Sequence, residues 1–301
     1  MTNTLSRQTW FELLLLGTIW GGIFLATRLV LEAFFPLTTV AIRTTGAALT
    51  LCLFVVWKGY RVPLSTRVFV GFLGMGLLNN VIPFGLMAWG QLHIASGLTS
   101  ILNATTAFFG IIVAALFFQD EPLTLRHLGG VALGTAGVVA IIGPSLLSAL
   151  DLRSLAQIAI LAGTLSYALA GAWAKIMLKG LPAPVAAAGM LTASALITLT
   201  ASISLEGPPM LSGLSPQTIG AIAYMSLIGT AGAYLLYFRF LAQAGSGNLM
   251  LVTLLISPVA VLLGALVLDE TLSPHAVLGF GLIAFGLLVI DGCILKAFRR
   301  V

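Results

Sequence analysis

The sequence predicts an all-α polytopic membrane protein with ten transmembrane helices, arranged as two inverted five-helix repeats. Composition is the first observation behind this prediction: of 301 residues, 59% are hydrophobic and 8% are charged, and the mean hydropathy is +1.11. A soluble domain carries about 25% charged residues, so this chain cannot cover a water-exposed surface. The apolar stretches are long and continuous, which favours helices over the short alternating segments of a membrane barrel.

The length of the apolar stretches is the second observation. A helix needs about 20 mostly apolar residues to cross a bilayer, and charged residues, prolines and turns divide the sequence into such stretches. The connections are short and leave no room for a soluble catalytic domain, and the sequence contains no Gly-Lys dipeptide and therefore no GxxxxGK[ST] phosphate loop. The ten predicted spans are Phe11–Leu31, Leu37–Trp57, Val68–Leu92, Ser96–Phe118, Leu125–Ile142, Leu155–Leu178, Pro184–Leu205, Thr218–Ala242, Asn248–Leu268 and Pro274–Leu295.

An internal repeat is the third observation. A shift of about 146 to 149 positions aligns Gly17-Thr18 with Gly163-Thr164 and Asp120-Glu121 with Asp269-Glu270. This shift predicts two domains, 11–143 and 154–296, of five helices each. Because five is odd, the second domain must enter the membrane from the opposite side. Secondary transporters with inverted repeats hold their substrate near the membrane midplane, between the repeats.

The distribution of Lys and Arg predicts that both termini are cytoplasmic, because cytoplasmic loops carry the excess of these residues. Arg28 and Arg153 then lie in outer connections, and Arg43 lies inside a helix. This topology explains the net charge of +5 without a nucleic-acid-binding stripe, and it predicts a multi-pass protein of a bacterial-type inner membrane. The predicted inner charges are Arg7, Lys58, Arg61, Arg67, Arg126, Lys175, Lys179, Arg239, Lys296, Arg299 and Arg300.

Several motifs recur in order along the chain: Thr18-Ile19-Trp20-Gly21-Gly22, Arg43 after Pro36, Glu121-Pro122-Leu123-Thr124 with its partner Glu270-Thr271-Leu272-Ser273, and the glycines Gly130, Gly134 and Gly137. With these motifs the chain resembles tandem EamA domains of the drug/metabolite transporter superfamily, over nearly its whole length. The resemblance implies a ten-helix carrier that exports small metabolites by alternating access, with amino-acid exporters, including exporters of aromatic amino acids, among its members. The second half departs from the pattern, with Ser166 where Trp20 would fall and no arginine matching Arg43.

Polar residues within the spans are candidates for a substrate cavity. Arg43 lies roughly 10 Å into its helix and is a candidate for binding a substrate carboxylate; alternatively, it snorkels to the interface or ties helix ends through backbone carbonyls. Asn79, Asn80 and Pro83 cluster in the third span. They suit either a cavity wall, where amides bind a polar substrate, or an interhelical amide clamp with a packing kink.

Further candidates come from polar and aromatic residues elsewhere in the spans. Ser257 precedes a proline in the ninth span, and Asn103 with Thr106 adds polar groups to the fourth. Aromatic side chains in the middle of a span either line a pocket that stacks on a substrate or pack against other helices. The aromatic candidates are Trp20, Tyr167, Trp173, Tyr234 and Tyr237.

The acidic residues and histidines all fall near predicted helix ends or loops, and proton-coupled pumps commonly use such groups inside the membrane. A facilitative or weakly coupled carrier is therefore expected, with no cofactor, no metal, no catalytic residue and no obligatory protein partner. Its predicted partners are a small-molecule substrate and the lipid bilayer. Alternative functions are an exporter of multiple drugs, cations or nucleobases, a passive channel, or an intramembrane hydrolase using Ser246 with His93 or His275.

Overall fold

The computed structural model describes residues 6–63, 65–91, 93–94, 96–151, 154–210, 212–267 and 274–291. Helices make up most of these ranges, and the short connections between them follow the predicted boundaries closely. In chain order the α-helices are α1 (Arg7–Leu31), α2 (Pro36–Trp57), α3 (Thr66–Gly76), α4 (Ile82–Gln91), α5 (Ser96–Ala104), α6 (Thr106–Phe117), α7 (Leu125–Ile142), α8 (Leu155–Met177), α9 (Ala183–Leu205), α10 (Pro216–Ala223), α11 (Ala233–Met250), α12 (Val252–Val267) and α13 (Pro274–Asp291).

Among the described residues, seven helical segments are long and apolar enough to cross a membrane, and two shorter apolar helices, Ile101–Phe117 and His275–Ile290, accompany them. The seven include the composite segments Thr66–Met87 and Pro216–Met250. The fourth predicted span corresponds to Ile101–Phe117, within which Thr105 separates α5 from α6. The protein is therefore an all-helical membrane protein, and the number ten stays a prediction.

Helix starts follow local rules that are legible in the sequence. A serine or threonine side chain accepts a hydrogen bond from the N–H three residues on, which satisfies one of the free amides of the first turn. The first turn of α2 is capped from a distance instead, because the Glu206 carboxylate accepts hydrogen bonds from the N–H groups of Leu37 at 2.9 Å and Thr38 at 2.7 Å. The local caps are Ser6, Ser65, Thr124 and Ser215.

Two π-helical segments, Leu77–Val81 and Tyr224–Gly232, interrupt the third helix of each domain. The repeat shift aligns Leu77 with Tyr224, so the two backbone irregularities occupy matching positions. Trp20 Nε1 donates to the Gly229 carbonyl at 3.2 Å, and Ser166 Oγ donates to the Leu78 carbonyl at 2.7 Å. Trp20 and Ser166, which the repeat aligns, therefore share one structural role, because each donates a hydrogen bond to the π segment of the other domain.

Matching helices of the two domains pack against each other in pairs. In the α7/α13 pair, a Cβ built on Gly130 would lie 2.6 Å from the Gly286 carbonyl oxygen, and one built on Gly137 would lie 2.7 Å from that of Gly279. The helices therefore run antiparallel with their backbones in close contact, which small residues at a helix interface allow. In the α2/α9 pair the hydroxyls of Thr44 and Thr198 are 2.9 Å apart, and the order of contacts is again antiparallel.

Some predicted features lie outside the described residues. They include the second acidic motif with its preceding residue, the last predicted span beyond residue 291, and several charges used to predict orientation. The residues concerned are Arg153, Asp269, Glu270, Thr271, Leu272, Ser273, Cys293, Lys296, Arg299 and Arg300, together with the side chain of Arg28.

Candidate functional site

Helix α8 provides a scale for depth, because it contacts the other domain along its length. Its residue Tyr167 lies roughly 18 Å from the first residue of the helix and roughly 15 Å from the last, at 1.5 Å per residue. The Tyr167 ring packs edge-on against Phe84 with 6.3 Å between centroids. Four side chains at this level, Tyr167, Phe84, Trp20 and Arg43, are only half-buried. Partial exposure in the middle of a helix bundle marks the candidate site.

Arg43 occupies the centre of this level. Its Nε donates a 2.7 Å hydrogen bond to Thr230 Oγ1, and its guanidinium carbon lies 4.6 Å from the centre of the Phe84 ring. Both contacts are with side chains of other helices, and neither is with a backbone carbonyl. In the part of the chain that the structure describes, the ion pairs belong to Lys175 and Arg239 and none to Arg43. A half-buried cation without an acidic partner among the described residues suits an anionic ligand.

Aromatic rings form the wall next to Arg43. Trp20 packs edge-on against Tyr234 with centroids 6.1 Å apart and lies 6.2 Å from Tyr237. The two tyrosine rings pack edge-on against each other at 5.6 Å, and each is 2% exposed. The Tyr237 hydroxyl is buried with no hydrogen-bond partner among the described residues. Trp20 therefore forms the exposed surface of this wall, and the tyrosines lie behind it.

The two asparagines form a buried hydrogen-bonded chain. Asn79 Nδ2 donates to the Tyr234 hydroxyl at 2.9 Å, that hydroxyl donates to Asn80 Oδ1 at 2.6 Å, and Asn80 Nδ2 donates to Ser194 Oγ at 2.7 Å. Asn79 is 2% exposed and Asn80 is fully buried. The chain joins the first π segment to α11 and α9, which is the geometry of the interhelical clamp. These hydrogen bonds hold the Tyr234 ring in place through its hydroxyl group.

Pro83 is buried one turn from these amides and its backbone faces α8. A Cβ built on Gly163 would lie 3.5 Å from both the Cα and the carbonyl oxygen of Pro83. The π segment ends at Val81, two residues before this proline. Pro83 therefore follows the bend of the third helix and packs closely on α8, without forming part of the half-exposed wall.

The contacts assigned to Thr106 and Trp173 lie elsewhere. Thr106 Oγ1 donates to the carbonyl of Asn103 at 2.7 Å, across the break between α5 and α6. Trp173 Nε1 donates to the Gly71 carbonyl at 3.1 Å and the ring packs over Gly74. It lies roughly 9 Å along α8 from Tyr167 and joins α8 to α3. Ser257 is buried within α12.

Phe84, Thr230 and Ser194 are site residues that sequence reasoning missed. Phe84 directly follows Pro83, so a search around the proline would have found it. Thr230 and Ser194 had no such signal, because a hydroxyl in an apolar helix normally bonds to a carbonyl of its own helix. Only the tertiary packing shows that Thr230 accepts a hydrogen bond from Arg43.

A second polar cluster lies at the far end of α8. Lys175 Nζ donates to Glu121 Oε1 at 2.6 Å and to Asp120 Oδ2 at 2.8 Å. The hydrogen bond from Lys175 lowers the pKa of the exposed Asp120 carboxyl below its ordinary value. At the same end, Arg239 Nε pairs with the buried Glu12 carboxylate at 2.9 Å. All three ion pairs join the first domain to the second.

The geometry does not assemble a hydrolase around Ser246. The Ser246 N–H donates to Glu121 Oε1 at 3.1 Å, at the Lys175 end of α8. The N–H of His93 donates to the Gly90 carbonyl, and Gly90 packs against Ile160. Ile160 and Lys175 are fifteen residues apart, or roughly 22 Å along the helix. His275 lies at the start of α13, whose first turns pack on the C-terminal end of α7 at Gly137 and Ile141. Glu121, which bonds to Ser246, precedes the opposite end of α7, so His275 also lies away from Ser246.

Long apolar helices that enclose polar and aromatic side chains are typical of a helical membrane protein with an internal binding site. The model of the EamA-like transporter family matches residues 10–143 and again residues 154–291. The chain belongs to the EamA-like transporter family, with two copies of its domain, and is a membrane transporter of the drug/metabolite transporter superfamily.

Relatives match along nearly the full length of the chain. A probable amino-acid metabolite efflux pump of Salmonella typhimurium is 27% identical over 297 residues, covering 95% of this chain and 95% of that protein. The uncharacterized inner membrane transporter YedA of Escherichia coli is 27% identical over 281 residues, covering 90% and 87%. A solved crystal structure superposes with a TM-score of 0.79 over 95% of this chain and 99% of that chain, at 16% identity, and shows the likeness of fold.

Proposed function

We propose that the protein is a secondary carrier that exports amino acids with neutral or aromatic side chains by alternating access. The observation that carries the proposal is Arg43, half-buried at mid-depth with no acidic partner among the described residues. A substrate carboxylate supplies the missing anion through charge-assisted hydrogen bonds. The rings of Trp20, Phe84 and Tyr167 then contact the apolar part of the substrate. Two relatives named as probable amino-acid metabolite efflux pumps support this choice.

The proposed architecture has ten spans in two inverted repeats with both termini in the cytoplasm of a bacterial-type inner membrane. Its support is that matching helices, α2 with α9 and α7 with α13, run antiparallel, the first pair in contact through side-chain hydroxyls and the second through glycines. The paired π segments support the same relation. The inner membrane relative of Escherichia coli supports the location, and the distribution of Lys and Arg supports the orientation.

The proposed mechanism is facilitative or weakly coupled. The described carboxylates with assigned contacts, Glu12, Asp120, Glu121 and Glu206, bond near helix ends, and Arg43 is the charge at the middle level. The carrier is proposed to work without a cofactor, a metal, a catalytic residue or an obligatory protein partner, in contact with the bilayer. Substrate accumulation in proteoliposomes against its gradient, when only a pH gradient is imposed, would contradict facilitative transport.

Nucleobase export is the second candidate. The edge-on aromatic rings near Arg43 suit a planar heterocycle, since aromatic pairs favour offset or edge-on packing. Export of organic cations is disfavoured, because Arg43 would repel a cation at the same level. Nucleobases and cations therefore belong in the same screen as amino acids.

The test is a counterflow screen in proteoliposomes, with amino acids, nucleobases and small organic cations as external substrates. Arg43→Gln is expected to weaken substrate affinity about tenfold or more, since hydrogen bonds to charged groups contribute about 1.5–3 kcal/mol. Lys179→Gln, which removes an exposed charge, is the matched control and should leave affinity unchanged. Equal affinities in Arg43→Gln and wild type would show that the arginine does not bind substrate.

A further inference from the structure

Glu121 is the most heavily bonded acidic side chain of the described residues, and it joins the two domains. Its carboxylate accepts from the Gly247 N–H at 2.8 Å, from the Ser246 N–H at 3.1 Å and from Lys175 Nζ at 2.6 Å. The side chain is 13% exposed, whereas that of its neighbour Asp120, bonded to the same lysine, is 73% exposed. The connection after α6 is thereby tied to α8 and α11.

The backbone of the second domain depends on this carboxylate. Gly245 breaks α11 with φ 85° and ψ 173°, so the next two amides lie at the start of a new helical turn and lack an intrahelical acceptor. A carboxylate at such a position satisfies the amides and complements the positive end of the helix dipole. A Cβ on Gly245 would lie 2.6 Å from the Glu121 carboxyl carbon. Glycine is therefore required here by both the φ angle and the close approach.

Directly beneath the carboxylate, α6 of the first domain packs on α11 of the second. A Cβ built on Gly247 would lie 3.2 Å from the Ala114 Cβ, and one built on Gly110 would lie 2.5 Å from the Met250 Cβ. Ala114 is 1% exposed. Lys175 lies eight residues, or roughly 12 Å, along α8 from Tyr167. This contact and its ionic cap therefore lie between the mid-depth site and one face of the membrane.

We propose that Glu121, with Lys175 and the amides of Ser246 and Gly247, is an ionic latch that closes the site on this side and must release for the site to open there. This inference rests on the proposed carrier function, since a carrier needs each side to open in turn. The positive-inside distribution places the latch at the cytoplasmic face. An exporter loads its substrate from that face, so the latch controls substrate entry.

A covalent lock provides the first test. In a Cys52→Ser/Cys293→Ser background, the pair Ala114→Cys/Gly247→Cys places two Cβ atoms near the separation of about 3.5–4.5 Å that a disulfide needs. We expect oxidation to reduce phenylalanine counterflow to the level of empty liposomes and dithiothreitol to restore it. Each single-cysteine variant should be unaffected by oxidation. Full transport by the cross-linked protein would overturn the latch, whereas absence of transport in wild type would instead count against the proposed carrier function.

The second test does not need a transported substrate and separates release from misfolding. A single Ala114→Cys in the same background is labelled with a membrane-impermeant maleimide in inside-out membrane vesicles. Glu121→Gln should raise the labelling rate about tenfold, the change produced by about 1.4 kcal/mol. Asp120→Asn, which affects the same lysine but leaves the helix cap in place, should not change it. Equal labelling in Glu121→Gln, Asp120→Asn and the parent would overturn the latch even if both variants transport.

Discussion

The two EamA domains share a backbone plan but supply different chemistry to the site. Trp20 and Ser166 occupy matching positions, and each donates to a carbonyl of the other domain's π segment. Trp20 is also half-exposed beside Arg43, whereas Ser166 is 5% exposed. The repeat shift aligns Asn79 with Ser226, whose hydroxyl has no partner among the described residues. Both domains hold a π segment by a matching hydrogen bond, but the side chains that they contribute to the site differ.

The divergence divides the work between the domains. The first contributes the cation Arg43 and the amides of Asn79 and Asn80, and the second contributes Thr230 and Tyr234, which bond to them. Neither domain contains a complete set of partners. The site therefore exists only where the domains meet, and any motion of one domain against the other must change it.

The largest predicted effect is a loss of stability at the glycine contact between α7 and α13, which the two domains share. Gly130→Leu should lose most folded protein, at a cost of about 3 kcal/mol or more, because its Cβ would meet the backbone of Gly286. Gly129→Leu is the matched control, since nothing lies within 4 Å of a Cβ there. Monodisperse yield and thermal unfolding in detergent measure both. If the contact is reciprocal, Gly286→Leu should behave like Gly130→Leu, and a tolerated Gly286→Leu would break the comparison.

The next largest effect is on stability at the π segments, where the polar side chains of the two domains differ. Asn80→Ala removes both bonds of a fully buried amide and leaves Ser194 and Tyr234 with lost partners. It should lower the free energy of unfolding by about 1–3 kcal/mol. Ser226→Ala removes a hydroxyl without an observed partner and should change stability by less than about 0.5 kcal/mol. Thermal unfolding of the two variants side by side checks this, and similar losses would mean that the domains are less different than described.

A smaller effect separates the shared role of Trp20 and Ser166 from the additional role of Trp20. Trp20→Phe and Ser166→Ala each remove one donor to a π-segment carbonyl and should each lower stability by about 1 kcal/mol. Only Trp20→Phe should also weaken substrate affinity, because only Trp20 is exposed at the site. Unfolding and counterflow are measured on the same preparations. Equal losses of substrate affinity in both variants would show that Trp20 affects binding by holding the π segment and not by contacting the substrate.

The smallest effect concerns pH. The hydrogen bond from Lys175 lowers the pKa of Asp120, so its contribution to stability is present above the unfolded-state pKa, near 4, and disappears as pH falls through the lower folded-state value. Asp120→Asn should remove only this acid-range slope from the pH dependence of thermal unfolding. The effect is small because Asp120 is exposed and solvent screens the pair. An unchanged slope in the variant would exclude this contribution.

Much of the fold follows from the sequence because apolar run length and capping residues determine helices locally. Arg43 and Trp20 were predictable because a charge or a large ring inside a span is conspicuous. Thr230 and the two π segments were not, since their hydrogen bonds join residues of different domains that lie 88 to 209 positions apart. That Asn103 and Thr106 line the cavity stays a prediction, and the Thr106 hydroxyl donates to the Asn103 carbonyl across the break between α5 and α6.

Counterflow with phenylalanine and with 2-phenylethylamine, which lacks the carboxylate, in wild type and in Arg43→Gln, measures directly whether Arg43 binds a substrate carboxylate. We expect wild type to prefer phenylalanine by about tenfold or more and Arg43→Gln to reduce this preference to near one. The same preference in both proteins would show that Arg43 does not bind the carboxylate.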